Sequence, residues 1–299
     1  MKKILAIVLS ALMMAAVAGC ANTNNNDVTD DKTNTDANVE TDANTGDETK
    51  TPADDTADDT KTDDTKTDGD LAYIKDKGTL VVGITEYEPM NYLDENGEWT
   101  GFDTEFANLV AEKLGVKTEF VEIDWDGKIM ELDSRAIDCV WNGMTLTDEV
   151  LKGMNCTKPY VVNAQVVVMN KDKLADYETV ESLDGLTFVA ESGSAGEAAI
   201  KDAGYDVVEV STQADALMEV ATGVEDACVI DITMANAMTG EGTSYADLGY
   251  SISLTEENYG IGFRKDSDAT AAVNDIIDEL IADGSLVKLA EKYNLTLAK

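Results

Sequence analysis

From Leu80 onward, short apolar runs alternate with segments whose apolar residues recur at helical spacing. LVVGI at 80–84 and IDCVW at 137–141 read as buried strands, and between them the spacing predicts a helix over 102–114. The alternation returns after residue 186, where LTFVA, DVVEV and ACVI are separated by two helical patterns. Strands separated by helices indicate an α/β fold with open, mostly parallel sheets and helices on both faces.

The alternation falls into two blocks, which predicts two lobes. The blocks cover 71–160 and 186–245, and the extended segment VVNAQVVVM joins them. Two amphipathic helices are predicted to close the chain, at 270–283 and 285–293.

Residues 21–68 contain almost nothing but Asn, Thr, Asp, Ala, Lys, Glu and Gly, with near-repeats such as DDTKTDDTKTD. Such a segment cannot bury enough apolar surface to offset its ordering entropy. We therefore expect 20–70 to be a disordered, acidic tether that its like charges extend.

The N-terminus has a charged start followed by a 16-residue apolar run, which is typical of a secretory signal over residues 1–19 and is shorter than a membrane span. The junction Val17-Ala18-Gly19-Cys20 resembles the lipobox of bacterial lipoproteins, in which the cysteine is acylated after cleavage. This resemblance implies a lipid anchor at Cys20 and a location on the outer face of a membrane. The alternative is an ordinary signal peptide that ends at an incidental cysteine.

The composition excludes several classes of function. A chain without histidine has no Ser-His-Asp or Cys-His pair and no His-ligated zinc. A net charge of −38 repels a phosphate backbone, so we expect no nucleic-acid partner. No spacing predicts a metal site or a cofactor, and we expect a monomer.

Several motifs, in order and spacing, resemble the solute-binding proteins of polar amino-acid ABC importers. The first-lobe motifs are GTLVVGITEYEPMNYLDENGEWTGFDTEFANLVAEKLG, IDCVWNGMTLTDEV and TKPY, and the later ones are LDGLTFVAESGSAGEAAI, GVEDACVID and YGIGFRKDS. The resemblance implies a two-lobed periplasmic-binding-protein clamshell of type II, with 71–166 and 255–299 in lobe 1 and 167–254 in lobe 2. It also implies capture of an amino acid or related amine between the lobes and delivery to an ABC permease.

The resemblance assigns ligand-binding roles to particular residues. Tyr87 would stack on the ligand and Trp125 would form an apolar wall, although either could belong to the core. Asp231 would bind the ligand ammonium, or it could only cap the helix that follows. Backbone and hydroxyl groups would come from five further positions, namely Asn142, Gly143, Thr145, Ser194 and Ala195, the last two at a helix start that favours a carboxylate.

The chain departs from the family where an arginine usually grips the ligand carboxylate, because Val150 stands there. Either the carboxylate is held by other groups, or the ligand lacks one. Candidate replacements are the N–H groups near Ser194, Thr145, Lys152 and Lys158. Glu86 and Glu191 would make the site net negative, which favours a ligand with an ammonium group.

Cys139 and Cys156 lie 17 residues apart in a setting that permits disulfides, so they are either a bridge or two free thiols. Cys228, within an apolar strand, is expected to be a buried small hydrophobe.

Two other classes compete with a binding protein. Some dehydratases resemble this family, and Glu86 or Glu191 could donate a proton in such an enzyme if burial raised its pKa. However, the chain has no activated nucleophile. A sensor ectodomain would require a membrane span and a signalling domain, and the sequence predicts neither.

Overall fold

A computed structural model describes residues 69–299. The predicted signal peptide, the predicted lipidation site Cys20 and the tether up to residue 68 lie outside the described residues. Within 69–299, no helix combines the length and apolar character needed to cross a bilayer.

Helices and strands alternate along the described chain, as predicted. The α-helices are α1 (Asp70–Lys77), α2 (Phe102–Leu114), α3 (Lys128–Asp133), α4 (Asp148–Gly153), α5 (Ala195–Asp202), α6 (Gln213–Thr222), α7 (Ile232–Met238), α8 (Ala269–Ala282) and α9 (Ser285–Lys292). The strands are β1 (Thr79–Ile84), β2 (Tyr92–Leu93), β3 (Trp99–Thr100), β4 (Lys117–Glu122), β5 (Cys139–Thr145), β6 (Asn155–Cys156), β7 (Val161–Asn163), β8 (Gln165–Asn170), β9 (Phe188–Glu191), β10 (Val208–Val210), β11 (Ala227–Asp231), β12 (Leu248–Ser253) and β13 (Glu257–Phe263).

The strands form two main sheets, in addition to the β2–β3 hairpin. The first sheet has the order β4-β1-β5-β13-β6, with β7 also paired to β13, and the second has the order β10-β9-β11-β8-β12. The polypeptide crosses between the sheets twice, between β7 and β8 and between β12 and β13. The first crossing is one residue long, Ala164, so Gln165 already belongs to the second sheet.

The fold class is confirmed, but each sheet is mixed rather than mostly parallel. In the first sheet β1 is parallel to β4 and β5, whereas β13 is antiparallel to its neighbours. In the second sheet β9 is parallel to β10 and β11, whereas β8 is antiparallel to β11 and β12. The reason is that β8 and β13 follow directly from strands of the other sheet and enter without a crossover helix.

The end of the predicted tether is part of the fold. Asp70 begins α1, is 8% exposed, and accepts a hydrogen bond of 2.9 Å from Nε of Arg264. The Arg264 guanidinium also donates to the backbone oxygen of Ile137 at 2.7 Å. A buried charge needs such a partner, so the tether has to end before this residue.

The proposed Cys139–Cys156 bridge is not formed, and both thiols are free. Cys139 in β5 lies opposite Phe263, and Cys156 in β6 lies opposite Gly262 on the other edge of β13. Because neighbouring strands are about 4.8 Å apart, the two cysteines are separated by roughly 10 Å, beyond the reach of a disulfide. Cys228 is buried, as expected.

Candidate ligand-binding site

A cavity of about 370 Å³ lies where strands of the two sheets end. Its wall includes the carboxyl ends of β5, β9 and β11 and the first turns of α3, α4 and α5, which is where open α/β sheets place ligands. The charged side chains on this wall are Lys128, Asp148, Glu149, Glu191, Asp202, Asp231 and Glu257. Six carboxyl groups therefore accompany one ammonium group, and three of the six, those of Asp148, Glu149 and Asp202, are exposed at the rim.

Asp231, at the end of β11, is a buried carboxylate of the cavity that accepts four hydrogen bonds. Its Oδ1 accepts from the Tyr259 hydroxyl and from Gln165 Nε2, both at 2.9 Å, and from Asn163 Nδ2. Its Oδ2 accepts from Gln213 Nε2 at 2.5 Å. Oδ1 thus accepts three hydrogen bonds and Oδ2 one, so Oδ2 is the oxygen with room for a further donor. The side chain makes no capping bond to α7.

Burial, and to a smaller extent the negative charge of Glu257, raise the pKa of Asp231 to about 7. The hydrogen bonds from Tyr259, Gln213 and Gln165 oppose this increase. A group at this pKa exchanges a proton for a bound cation near neutral pH.

Glu257 shares its donors with Asp231 across the first crossing. Its Oε1 accepts from Asn163 Nδ2 and Gln165 Nε2, both at 2.6 Å, and from the Thr145 hydroxyl at 2.7 Å. Asn163 and Gln165, on either side of Ala164, therefore each donate hydrogen bonds to one carboxylate from each sheet, Glu257 and Asp231.

Glu191, at the end of β9, is 2% exposed, and its Oε1 has no hydrogen-bond partner among the described residues. Burial, and to a smaller extent the negative charge of Asp231, raise the pKa of this carboxyl to about 8, and Lys128 opposes the shift. Glu191 is therefore mainly protonated at pH 7 and can both donate and accept a hydrogen bond.

Lys128, the first residue of α3, is the basic side chain on the cavity wall and is 8% exposed. Its Nζ donates to the backbone oxygens of Trp125 and Gly193, each at 3.0 Å, and lies 4.8 Å from the centroid of the Trp125 ring. Burial lowers the pKa of Lys128, while nearby carboxylates, Glu149 first, raise it.

Trp125 and Val150 belong to the apolar part of the wall, which also includes Ile129 and Met144. Trp125 and Val150 are 7% and 4% exposed, and both belong to one core cluster. Trp125 thus lies where the sequence placed it.

Asn142, Gly143 and Thr145 also line the cavity, but much of their bonding capacity is used within the protein. Gly143 donates its N–H to Asp103 Oδ2 at 2.6 Å, and Thr145 donates its hydroxyl to Glu257. The expected Gly143 N–H is thus engaged before any ligand binds.

Ser194 and Ala195 lie on the wall at the start of α5. The Ser194 hydroxyl accepts from the Glu197 N–H at 3.0 Å and caps the helix. The first N–H groups of a helix have no partner within it, so this end of α5 offers donors to an anion.

Two predicted residues do not line the cavity. Glu86 is exposed. Tyr87 is 1% exposed, and its hydroxyl lies 2.5 Å from the hydroxyls of Thr233 and of Tyr259. The Tyr87 ring lies against Gly143, behind the wall, because its hydroxyl is held by these polar groups of the core.

Neither lysine proposed as a replacement for arginine lies on the wall. Lys152 is largely exposed beside Asp148, and Lys158 pairs with Asp278. Lys128, which sequence reasoning missed, lies there instead, together with Gln213 and Glu257. The spacing of Trp125 and Lys128, three residues apart, is a signal that places both on one side of a helical turn.

A second, larger cavity of about 1030 Å³ lies elsewhere between the sheets, near the end of α9. None of the predicted ligand-binding residues lines it, so we take the first cavity as the candidate site.

A cavity between two α/β lobes, with buried carboxyl groups on its wall, is typical of a solute-binding protein. The chain belongs to the bacterial extracellular solute-binding proteins, family 3, whose model matches residues 80–296. It is 30% identical over 231 residues to the L-cystine-binding protein TcyJ of Escherichia coli (strain K12), covering 76% of this chain and 86% of that one.

Solved structures of amino-acid-binding proteins have a similar fold. An ancestral arginine-binding protein bound to arginine has a TM-score of 0.66 and 35% identity, over 72% of this chain and 98% of that one. An ancestral amino acid-binding protein, described as a precursor of cyclohexadienyl dehydratase, has a TM-score of 0.69 and 32% identity, over 75% and 98%. The chain is thus an extracellular solute-binding protein, and the relatives named here are amino-acid-binding proteins.

Proposed function

We propose that this protein is held at the outer face of a membrane by lipid on Cys20 and delivers an amino acid to an ABC permease. The family supports the transport role, and the Val17-Ala18-Gly19-Cys20 junction supports the anchor. The expected lobes, 71–166 with 255–299 and 167–254, are moved at their first boundary to Ala164, because β8 of the second sheet begins at Gln165. We infer that the lobes close on the ligand about the two crossings.

The proposed ligand class is inferred from Asp231. Its Oδ2 keeps one acceptor site at the cavity, and its pKa of about 7 lets it ionise when an ammonium group arrives. Trp125 supplies the apolar wall. The relatives are named for cystine and arginine, which carry such an ammonium group.

Two measurements test this proposal. Mass spectrometry of the small molecules that co-purify with the full-length chain should identify a free amino acid or a close amine, whereas a bound sugar or nucleotide would contradict the ligand class. Labelling with radioactive palmitate should mark the wild-type chain and leave Cys20→Ser unmarked, whereas equal labelling of both would contradict the anchor.

A further inference from the structure

We propose that Lys128, together with the start of α5, binds the carboxylate of the ligand and so replaces the arginine missing at Val150. This inference rests on the proposed function, because it names the second charged group of the same ligand. It implies a zwitterion, with its ammonium at Asp231 and its carboxylate near Lys128.

The Lys128 ammonium has one N–H left for a ligand. An ammonium group has three donors, and two of them reach the backbone oxygens of Trp125 and Gly193. No carboxylate lies within ion-pair distance of Lys128 among residues 69–299. Burying an ammonium group without an anionic partner costs free energy. A bound ligand carboxylate would provide that anionic partner for Lys128.

Glu191 does not neutralise Lys128. Its carboxyl is buried on the same wall, has an unpartnered Oε1 and carries a proton at neutral pH. A protonated Glu191 can donate its O–H to a ligand carboxylate, whereas an ionised one would repel it. The unpartnered atom therefore suits an anionic group in this part of the cavity.

The start of α5 lies beside the same ammonium. Lys128 Nζ is 3.0 Å from the oxygen of Gly193, which directly precedes the capping residue Ser194. Helix starts favour anions. The carboxylate already near this end, that of Glu197, accepts from the Gly193 N–H and pairs with Lys201, and it does not line the cavity.

Val150 and Lys128 reach one cavity from different helices. Val150 lies in the first turn of α4, where its N–H donates to Thr147 Oγ1 at 3.2 Å. Lys128 lies in the first turn of α3. The basic side chain of the cavity, Lys128, thus lies on α3, whereas the arginine of the family would lie at Val150 on α4.

Calorimetry on the full-length chain tests the proposal. The probes are the twenty common amino acids with L-cystine and L-ornithine, and then the carboxamide of the tightest binder. The wild type should bind the acid more tightly than the amide, and Lys128→Met should reduce that preference by at least about tenfold. Lys128→Arg should keep the preference, and the control Lys152→Met should leave it unchanged.

The ratio of the two affinities separates carboxylate binding from a structural role, because a merely weakened bridge to Gly193 lowers both affinities equally. An equal loss for acid and amide in Lys128→Met, or a wild type that binds the amide as tightly as the acid, would overturn the proposal. If Lys128→Met fails to fold, Lys128→Gln is used in its place, and the ratio of its affinities for the acid and the amide decides the proposal. A wild type that binds no probe would contradict the proposed function itself.

Discussion

The affinity for an amino acid should rise with pH, because the ammonium displaces a proton from Asp231. The free protein holds this proton up to a pKa of about 7, while the ligand ammonium needs the ionised carboxylate. The affinity should therefore increase, and not decrease, as the pH rises. Below pH 7 the binding of a ligand ammonium requires that Asp231 first lose its proton, whereas above pH 7 the Asp231 carboxylate is already ionised.

The size of the effect follows from the same pKa. Between pH 5.5 and pH 7.5 the ionisation penalty falls by about 1.4 log units, so the affinity should rise roughly 25-fold, or about 2 kcal/mol. The range stays below the titration of the ligand α-amino group. Glu191, with a pKa of about 8, stays mainly protonated across it.

Isothermal calorimetry at both pH values, in buffers of different ionisation enthalpy, measures the affinity and counts the released protons. Wild type should release close to one proton at pH 5.5. Asp231→Asn should bind more weakly at pH 7.5 and lose most of the pH dependence, whereas Glu191→Gln should retain it. An affinity that is flat or falls with rising pH would refute the assignment of Asp231 as the ammonium site.

Three further outcomes concern the fold around the site, and urea unfolding measures each. Gly143→Ala should lower the free energy of unfolding by about 2 to 4 kcal/mol, because φ is +55° and a Cβ would lie 2.6 Å from Tyr87 Cε1; a change below about 1 kcal/mol would contradict this. Arg264→Met should cost about 3 to 5 kcal/mol by removing the buried cation that pairs with both Asp70 and Asp138, whose remaining partners, Arg135 and Lys77, are more exposed, and an unchanged free energy of unfolding would contradict this. Burial raises the pKa of Asp103 to about 7, so the folded state holds a proton that the unfolded state has lost, and stability should fall as the pH rises from 5 to 7.5. Asp103→Asn should remove about 2 to 3 kcal/mol of that fall, and an unchanged pH profile would contradict it.

Local patterns predicted the elements well where periodicity and helix ends agree. The predicted helix at 102–114 coincides with α2, because its apolar spacing runs to Gly115, which ends the helix in the left-handed conformation. Strands β12 and β13 were not predicted, since they pair with residues of β8 and β5 that lie 78 or more positions earlier in the chain. For the same reason, the sequence could not show that β13 separates Cys139 from Cys156.

The site was predictable where a residue ends a strand and less so elsewhere. Asp231 and Glu191 end β11 and β9, so their place at the cavity follows from the alternation of strands and helices. Tyr87 also follows a strand, yet its hydroxyl finds buried partners in the core. Lys128 was missed because its spacing from Trp125 indicates only that both lie on one side of a helical turn, and does not show that this side faces a cavity.

The most direct test of the account is calorimetric titration of the full-length chain and of Asp231→Asn with the amino-acid panel at pH 7.5. At least one amino acid should bind the wild type, and Asp231→Asn should weaken the binding of that amino acid by at least about 2 kcal/mol, as for a charge-assisted hydrogen bond. The matched control Asp202→Asn, at the exposed rim of the same cavity, should bind as the wild type does. Equal affinities for the wild type and Asp231→Asn would contradict the account.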